Sequence, residues 1–503
     1  MNPILVLSVF VGYVMLLMFI AHRTSRQTAG TSESEQFFLA GRSAPWYVVA
    51  FGMLGASLSG VTFISVPGWV GTQGFTYMQM VLGYLAGYAF IMAVLLPLYY
   101  RLGLTSIYGY FQSRFGPKAY RTGASFFILS RTIGASFRLF LVALVVQMFV
   151  LSPLGWDVHW SLPVIGDVPI GLAVAVATIM GVIYAYTRKG GIGTIIWTDT
   201  LQTAAMLIAV VLAIIVLARE LNWDLLQLPS HIRETPWSQW WVLDDWKAPN
   251  HALKHFLAGA FVAMAMTGMD QDMMQKNLAC KNVKEARWNM GSFSLVLVGV
   301  NVLFLALGVM LYAFAEQTGL QVERADGLFP TIALNASLGI GLGLAFLIGL
   351  LASAFSSADS ALTALTTSVC VDLIQTESMD SGRGNAIRKQ VHGWVAVALF
   401  VVIMVFSAVE DTSVVSAIFT AANYTYGPLL GLFAFGLMSK RAPKDAWIPL
   451  VAILSPILCF ALESWLKHQF AFSFGFALLP INGLITCLGL WLISFEKMNN
   501  KNA

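Results

Sequence analysis

The sequence predicts an all-α integral membrane protein with about thirteen transmembrane helices. Of its 503 residues, 58% are hydrophobic and only 11% are charged, whereas a soluble domain carries roughly 25% charged residues. The apolar residues also form long runs without charge, such as 2–21, 170–186 and 292–315. About 20 apolar residues in a helix span a hydrocarbon core of ~30 Å. Because lipid cannot satisfy backbone N–H and C=O groups, each run is expected to be a helix.

The apolar runs fall into thirteen segments. They cover residues 3–22, 46–72, 77–99, 122–150, 169–187, 192–217, 253–275, 289–315, 339–373, 391–409, 412–437, 446–465 and 473–495. The first segment lacks a basic leader region and a small-residue cleavage site, so we predict a retained helix rather than a signal peptide.

Basic residues are distributed unevenly between the loops. Most of the 29 lysines and arginines lie in the loops that follow odd-numbered segments, and few lie in the others. Cytoplasmic loops of membrane proteins carry such an excess. The pattern predicts a multi-pass protein of the plasma membrane, or of the inner membrane in a bacterium, with its N-terminus outside and its C-terminus in the cytoplasm. It also accounts for the net charge of +4 without a nucleic-acid partner.

Cysteine and histidine usage argues against several other classes of protein. The four cysteines are scattered without paired spacing, so neither a disulfide framework nor a thiolate metal site is expected. The seven histidines all fall in loops or at segment ends, and none supports a nucleophile–base pair at membrane depth. We therefore do not expect an enzyme.

Two segments contain small and polar residues in place of apolar ones. The second carries glycines and serines at 52–60, and the seventh carries Thr267-Gly-Met-Asp-Gln-Asp272. A matched pair of interrupted segments indicates a transporter's binding site. Since the two interruptions lie five segments apart, they predict inverted repeats over 46–217 and 253–437, with an extra helix at 3–22 and two more at 446–495. The alternative is two small-residue faces for close helix packing.

Hydroxyl residues and a carboxylate cluster in the ninth segment. Ser353, Ser356, Ser357 and Ser360 fall on one helical face, and Asp359 lies beside them. Oxygen ligands are those that a hard cation requires. Hydroxyl-mediated helix packing would explain the serines but not the carboxylate, which costs ~3 kcal/mol or more in mid-membrane and needs a partner.

Three further charged residues are expected inside the membrane. Asp199 lies near the start of the sixth segment, and Arg131 and Arg138 lie seven residues apart on the fourth. Each arginine either binds an anionic group of a solute or forms a structural salt bridge, with Asp199, Asp270 or Asp272 as partner. The sequence leaves both alternatives open. It also leaves open whether the tryptophan-rich loop at 218–252 is an interfacial belt or a lid over an external vestibule.

Five motifs resemble the sodium:solute symporters, which include transporters for sugars, proline, pantothenate, iodide and sialic acid. They are Glu35-Gln-Phe-Phe-Leu-Ala-Gly-Arg42, Gly190-Gly-Ile-Gly-Thr-Ile-Ile-Trp-Thr-Asp-Thr-Leu-Gln202, Asp270-Gln-Asp-Met-Met-Gln-Lys276, Ala352-Ser-Ala-Phe-Ser-Ser-Ala-Asp-Ser-Ala-Leu362 and Tyr426-Gly-Pro-Leu-Leu-Gly-Leu432. Each alone is a weak pattern, but their order along nearly the whole chain is specific.

The resemblance implies a LeuT-type fold of ten core helices and a set of binding residues. The primary sodium site would be formed by backbone carbonyls of Gly55, Leu58 and Ser353 and hydroxyls of Ser356 and Ser357. The second sodium site of some members would fall on Asp199, Ser356, Asp359 and Ser360. Solute-binding positions would be Ser57, Ser59, Thr62, Gln79, Arg138 and Thr267. Asp359 stands where some relatives have a hydroxyl residue, which favours a cation there and also allows proton coupling.

The expected function is therefore sodium-coupled symport of a small organic solute by a protein that works as a monomer in the lipid bilayer. The expected solute is a carboxylate, a sugar or a sugar acid. A channel would not need two paired helix breaks, and a solute receptor of this type would carry a signalling domain. Three couplings remain open: two sodium ions per solute, one sodium ion with a structural Asp199, or protons.

Overall fold

The computed structural model describes residues 3–26, 37–156, 158–162, 166–322, 324–335, 338–407 and 414–495. Glu35 and Gln36 of the first motif, the start of the eleventh predicted segment at 412–413 and the tail 496–503 lie outside these ranges.

The described residues of the first half of the chain contain nine α-helices of six residues or more. They are α1 (Pro3–Arg26), α2 (Trp46–Ser57), α3 (Gly60–Gln73), α4 (Tyr77–Phe90), α5 (Leu96–Leu102), α6 (Gly109–Arg114), α7 (Pro117–Val146), α8 (Ile170–Glu220) and α9 (Leu228–Arg233). A π-helical turn, Ile91–Leu95, joins α4 to α5, and another, Gln147–Leu151, extends α7.

The second half contributes ten more. They are α10 (Ala252–Ala263), α11 (Gln271–Leu278), α12 (Val283–Thr318), α13 (Leu328–Ala333), α14 (Ile340–Ser368), α15 (Ser381–Phe406), α16 (Val414–Thr425), α17 (Gly427–Met438), α18 (Ile448–Phe470) and α19 (Leu478–Leu492). π-helical turns extend α10 over Met264–Gly268 and α14 over Val369–Ile374.

Strands are few and short. Antiparallel pairs form between β1 (His159–Leu162) and β2 (Gly166–Pro169), and between β3 (Ala442–Pro443) and β4 (Ser494–Phe495). Short 3₁₀ turns lie at Ala40–Arg42, Gly74–Thr76, Ser152–Leu154, Leu225–Gln227, Ala325–Gly327, Thr376–Ser378, Asp445–Trp447 and Gly475–Ala477.

The predicted helical membrane protein is confirmed, while the number of crossings stays a prediction. Every predicted segment coincides with helix in the described residues. The described residues contain nine continuous helical spans that are long and apolar enough to cross a membrane, or ten if the bent pair Ala252–Gly268 and Gln271–Leu278 is one span. The count of thirteen depends on shorter apolar helices, including α2 and α17.

A kink separates the fifth and sixth predicted segments. Both lie in α8, which is interrupted at Gly191 with φ 52° and ψ −149°. A residue with a side chain rarely adopts a positive φ, so glycine allows the chain to turn here. The two spans, Ile170–Arg188 and Gly191–Glu220, agree with the predicted segments 169–187 and 192–217.

Helix α14 lies at the centre of the bundle. Its residues from Leu342 to Ser368 are nearly all buried, and it packs along α8, α7, α2 and α3. Of the most apolar stretch of Ile340–Ile374, 72% is buried, against 22% for Asp445–Phe470 at the periphery. The hydroxyl-rich helix is therefore surrounded by protein rather than lipid.

Candidate functional site

The first helix break lies between α2 and α3. Leu58 has φ −84° and ψ 82°, and Ser59 has φ −81° and ψ 178°, so two residues leave the helical conformation. The predicted interruption of the second segment is present. Irregular backbone at membrane depth is tolerated where it is buried in protein or lines a cavity, and Leu58 and Ser59 are both buried.

The second break separates α10 and its π-helical turn from α11, and the chain bends there by 64°. Two buried tyrosines satisfy carbonyl groups that the break releases. The Tyr99 hydroxyl donates to the Gly268 carbonyl at 2.8 Å, and the Tyr108 hydroxyl donates to the Met269 carbonyl at 3.0 Å. No sequence pattern predicts these two partners, because they lie more than 160 residues away.

Asp270 caps the N-terminus of α11. Its Oδ1 accepts from the backbone N–H groups of Asp272 at 3.0 Å and Met273 at 3.3 Å. Its Oδ2 accepts from the Tyr426 hydroxyl at 2.6 Å. A capping carboxylate satisfies amide groups that have no partner within the helix, so Asp270 stabilises the break.

The break after α2 lies against the hydroxyl face of α14. A Cβ atom added to Gly55 would lie 3.0 Å from Ser356 Oγ and 2.4 Å from Thr203 Oγ1. One added to Gly60 would lie 3.5 Å from Ser353 Oγ. The structure thus brings the first break, where carbonyl ligands for sodium are predicted, next to the serines whose hydroxyls are the other predicted ligands.

The hydroxyls of this face differ in their partners. Ser353 Oγ donates to the Leu350 carbonyl at 2.7 Å, and Ser356 Oγ donates to Asp199 Oδ1 at 2.6 Å. Ser357 Oγ is buried and has no hydrogen-bond partner within the described part of the chain. A buried hydroxyl without a partner carries a desolvation cost, which a bound cation would offset.

A lysine that sequence reasoning did not include lies among the residues of the second predicted cation site. Lys276 Nζ lies 2.8 Å from Asp199 Oδ2 and 2.7 Å from Ser360 Oγ. Ser360 Oγ also lies 3.3 Å from Asp199 Oδ2. Lys276 is only 1% exposed. Because it is far from Asp199 in sequence, the ion pair could not be predicted from a local pattern.

Asp359, the fourth residue of that predicted site, binds elsewhere. Its Oδ2 accepts from the Tyr186 hydroxyl at 2.6 Å, and its Oδ1 has no hydrogen-bond partner among the described residues. The structure therefore places Asp199 and Ser360 against Lys276, with Ser356 on the other oxygen of Asp199, and leaves Asp359 hydrogen-bonded to α8.

A cavity of about 110 Å³ lies between the two breaks. Five predicted solute-binding residues line it, and so does Leu58; the five are Ser57, Ser59, Thr62, Arg138 and Thr267. The lining also includes residues that were not predicted, among them Tyr77, Tyr84, Tyr88, Met266, Asn301 and Phe419. Most are apolar or aromatic side chains of the predicted apolar segments, where nothing distinguishes a cavity wall from packed core.

Gln79 is not part of this cavity lining. Its Nε2 donates to the Thr76 carbonyl at 3.0 Å and the Asn250 carbonyl at 3.2 Å. Its Oε1 accepts from the Val242 N–H at 3.2 Å. The structure thus places the Gln79 amide on the tryptophan-rich loop, away from the cavity to which the resemblance assigned it.

The two membrane arginines have different surroundings. Arg131 also lines the cavity and has a buried Nε without a partner, but its guanidinium is paired with Asp272. Arg138 lines the cavity, its Nε is buried without a partner, and it forms no ion pair within the described residues. The structural alternative therefore holds for Arg131, while Arg138 remains free to bind a ligand.

Some tryptophans of the loop 218–252 pack against the bundle and others are exposed, and both of its expected roles stay predictions. Trp240 stacks on Phe75 with ring centroids 5.3 Å apart, and Trp237 lies 5.5 Å from Tyr312. These contacts cover helix ends of the bundle. Trp241 and Trp246 are more than half exposed, at 51% and 55%, as expected for side chains at a membrane interface.

Comparisons with known proteins agree with this architecture. A sequence model described as the sodium:solute symporter family matches residues 37–446. The sodium/sialic acid symporter NanT of Aliivibrio fischeri is 22% identical over 88% of this chain and 84% of its own. The sodium-coupled monocarboxylate transporter 1 of Mus musculus is 24% identical over 91% of this chain and 72% of its own.

One solved structure matches almost the whole chain. It is described as the substrate-bound outward-open state of a Na⁺-coupled sialic acid symporter with a novel Na⁺ site. It superposes with a TM-score of 0.79 at 18% identity, covering 98% of this chain and 99% of the other. At this identity the match shows a shared fold, and the predicted fold class is confirmed.

Proposed function

The chain belongs to the sodium:solute symporter family, and on that premise we propose that it carries a small monocarboxylate across the membrane together with sodium. The family and the relatives compared above are transporters, and sodium is their coupling ion. What the proposal adds is the chemical class of the solute and the residues that bind it.

One observation supports a carboxylate on the solute: Arg138 lies within a predicted membrane segment, lines the cavity and forms no ion pair in the described chain. A buried guanidinium without an anion is costly, since charged groups in the membrane interior need partners. Arginine's planar fork matches a carboxylate in a bidentate geometry. A solute carboxylate would therefore supply the ion-pair partner that the Arg138 guanidinium lacks in the described chain.

The rest of the cavity favours a small and largely apolar solute. Tyr77, Tyr84, Tyr88 and Phe419 contribute aromatic surface, and the Ser and Thr hydroxyls of the lining lie on one side, near the breaks. A cavity needs ~10–15 Å³ for each water molecule, so about 110 Å³ holds roughly seven to eleven water molecules. A sugar acid would leave many hydroxyls without partners, which is costly on burial.

A sugar acid is the second candidate. In its favour, several compared proteins are sodium/sialic acid symporters. Ser57, Ser59, Thr62 and Thr267 could also donate to solute hydroxyls from one side of the cavity.

We assign the primary sodium ion to the junction of the first break and the hydroxyl face of α14. Its ligands would be the carbonyls of Gly55, Leu58 and Ser353 and the hydroxyls of Ser356 and Ser357. The close approach of Gly55 to Ser356 and the unpartnered Ser357 hydroxyl support this assignment. Sodium bound here would hold the broken helix in the geometry that presents Ser57 and Ser59 to the solute.

The proposed orientation follows the distribution of charge. With basic loops in the cytoplasm, the N-terminus is outside, the C-terminus is inside, and the tryptophan-rich loop lies on the outer face. The repeats 46–217 and 253–437 would rock against each other around the site, and one chain contains all proposed ligands, so a monomer suffices. A tenfold sodium gradient supplies about 1.4 kcal/mol per ion for accumulation.

Counterflow in proteoliposomes tests the function. Vesicles loaded with unlabelled solute take up trace labelled lactate, propionate or sialic acid in sodium or in choline medium. The proposal predicts sodium-dependent exchange of the monocarboxylates and little exchange of their amides. Exchange that persists in choline contradicts sodium coupling, and sodium-dependent exchange of sialic acid alone supports the second candidate.

A further inference from the structure

Asp199 is neutralised by the chain itself. The Lys276 ammonium lies 2.8 Å from Asp199 Oδ2, and the two side chains are 1% and 0% exposed. The other carboxylate oxygen accepts from Ser356 Oγ at 2.6 Å. Both oxygens of a residue that could bind a second cation are therefore engaged.

The remaining contacts of Lys276 are also those of a bound cation. Its Nζ donates to Ser360 Oγ at 2.7 Å and lies 3.6 Å from Asp272 Oδ1. An ammonium group has three donors and no acceptor, and three oxygen-bearing side chains surround this one. Asp272 is paired in turn with Arg131, so positive and negative charges alternate through this buried group.

We propose that the Lys276 ammonium is a tethered cation that fills the second cation position, so that the chain binds one sodium ion and not two. This inference deepens the proposed function and rests on its sodium coupling. Lys276 supplies the positive charge that Asp199, Ser356 and Ser360 would otherwise obtain from solution.

A sodium ion and Lys276 cannot share these ligands. Sodium is a hard cation that binds oxygen, and here Asp199 Oδ2 and Ser360 Oγ already contact the ammonium at hydrogen-bond distance. An ion among them would lie close to a like charge in a buried site, where repulsion is poorly screened. Asp359 does not offer a second set of ligands with Ser360, since Tyr186 holds its Oδ2.

Equilibrium binding of ²²Na⁺ to the purified full-length protein tests the proposal without knowledge of the solute. The wild type should bind one sodium per chain. Lys276→Met removes the ammonium at similar length and leaves Asp199 without a cation, so this variant should bind two. The double variant with Asp199→Asn and Lys276→Met also lacks the negative charge of Asp199, so it should bind one sodium ion per chain.

Lys254→Met is the matched control. Lys254 is also buried, at 6% exposure, but its Nζ donates to the carbonyls of Lys247 and Ser473 near the external loop. This variant should bind one sodium, like the wild type.

Two sodium ions bound by the wild type would overturn the proposal, and so would a single ion bound by a folded Lys276→Met variant. The number of sodium ions bound by the wild type tests the proposal even if the variants fail to fold. A wild type that binds no sodium would instead overturn the proposed function itself, so the two failures are distinguishable.

Discussion

Lys276 and Asp199 form a buried ion pair at 2.8 Å, although 77 positions separate them and they lie on different helices, α11 and α8. The pair joins α11, which follows the second helix break, to the hydroxyl face of α14 through Ser356 and Ser360. It therefore links the element that forms the solute cavity to the element that carries the proposed sodium ligands.

Breaking this pair from one side should be costly. Asp199→Asn leaves the Lys276 ammonium buried without its main counter-charge, and such losses cost ~3–5 kcal/mol. We expect a clear fall in Tm in sodium-free detergent solution, whereas Asp244→Asn on the exposed outer loop should change stability by less than ~0.5 kcal/mol. Replacing both partners by apolar residues should recover part of the loss. An unchanged Tm for Asp199→Asn would contradict the pair.

The two sodium-site serines should respond differently to removal of the hydroxyl. Ser357 Oγ has no partner in the described chain, so Ser357→Ala should leave sodium-free stability near wild type and raise the sodium Kd about tenfold. Ser356→Ala also loses the bond to Asp199, so it should lower sodium-free stability as well as raise the sodium Kd. Sodium titration with thermal shift measures these effects.

Ser294→Ala is the control for these variants, because Ser294 is buried but donates only to the Gly291 carbonyl. If Ser357→Ala and Ser294→Ala gave equal sodium affinities, the primary site would not lie on α14.

Substitutions of the two membrane arginines should have different effects, one on solute affinity and the other on Tm. Arg138→Met should keep near-normal Tm, because it breaks no ion pair, while weakening monocarboxylate binding by at least tenfold, or ~1.4 kcal/mol. Arg138→Lys keeps the charge but loses the bidentate fork, so its binding should be intermediate. Arg131→Met should lower Tm, since it leaves Asp272 without its guanidinium partner. Normal transport by Arg138→Met of the wild-type solute would exclude the carboxylate contact.

Substitution of Asp359 tests whether transport is coupled to sodium or to protons. Because its carboxylate is bound by Tyr186 rather than by the group around Lys276, Asp359→Asn should retain the wild-type number of bound sodium ions. Uptake into proteoliposomes driven by a proton gradient alone should be absent in wild type and variant alike. Proton-driven uptake without sodium, lost in Asp359→Asn, would show that this carboxylate carries protons.

The sequence was sufficient for the features that depend on local pattern. Hydrophobic length predicted the helices, and small or polar residues in apolar segments predicted both breaks. Helical periodicity placed Ser353, Ser356 and Ser357 on one buried face. These signals are local because a membrane helix must satisfy its own backbone within about 20 residues.

Partners between distant segments could not be predicted in the same way. Lys276 was counted among the basic residues of a cytoplasmic loop, yet it is buried against Asp199. Gln79 was assigned to the solute by resemblance, yet its amide contacts the tryptophan-rich loop. The hydroxyls of Tyr99 and Tyr108 stabilise the second break from another helix and a loop. Such contacts depend on how the helices pack, and one sequence does not record that packing.

Reciprocal binding tests sodium–solute coupling most directly. If sodium assembles the solute cavity, a monocarboxylate should bind purified protein about 10–100-fold more tightly in sodium than in choline, and saturating solute should tighten sodium binding by the same factor. Isothermal titration in both orders measures the two factors. Equal solute affinity in sodium and in choline would contradict the account.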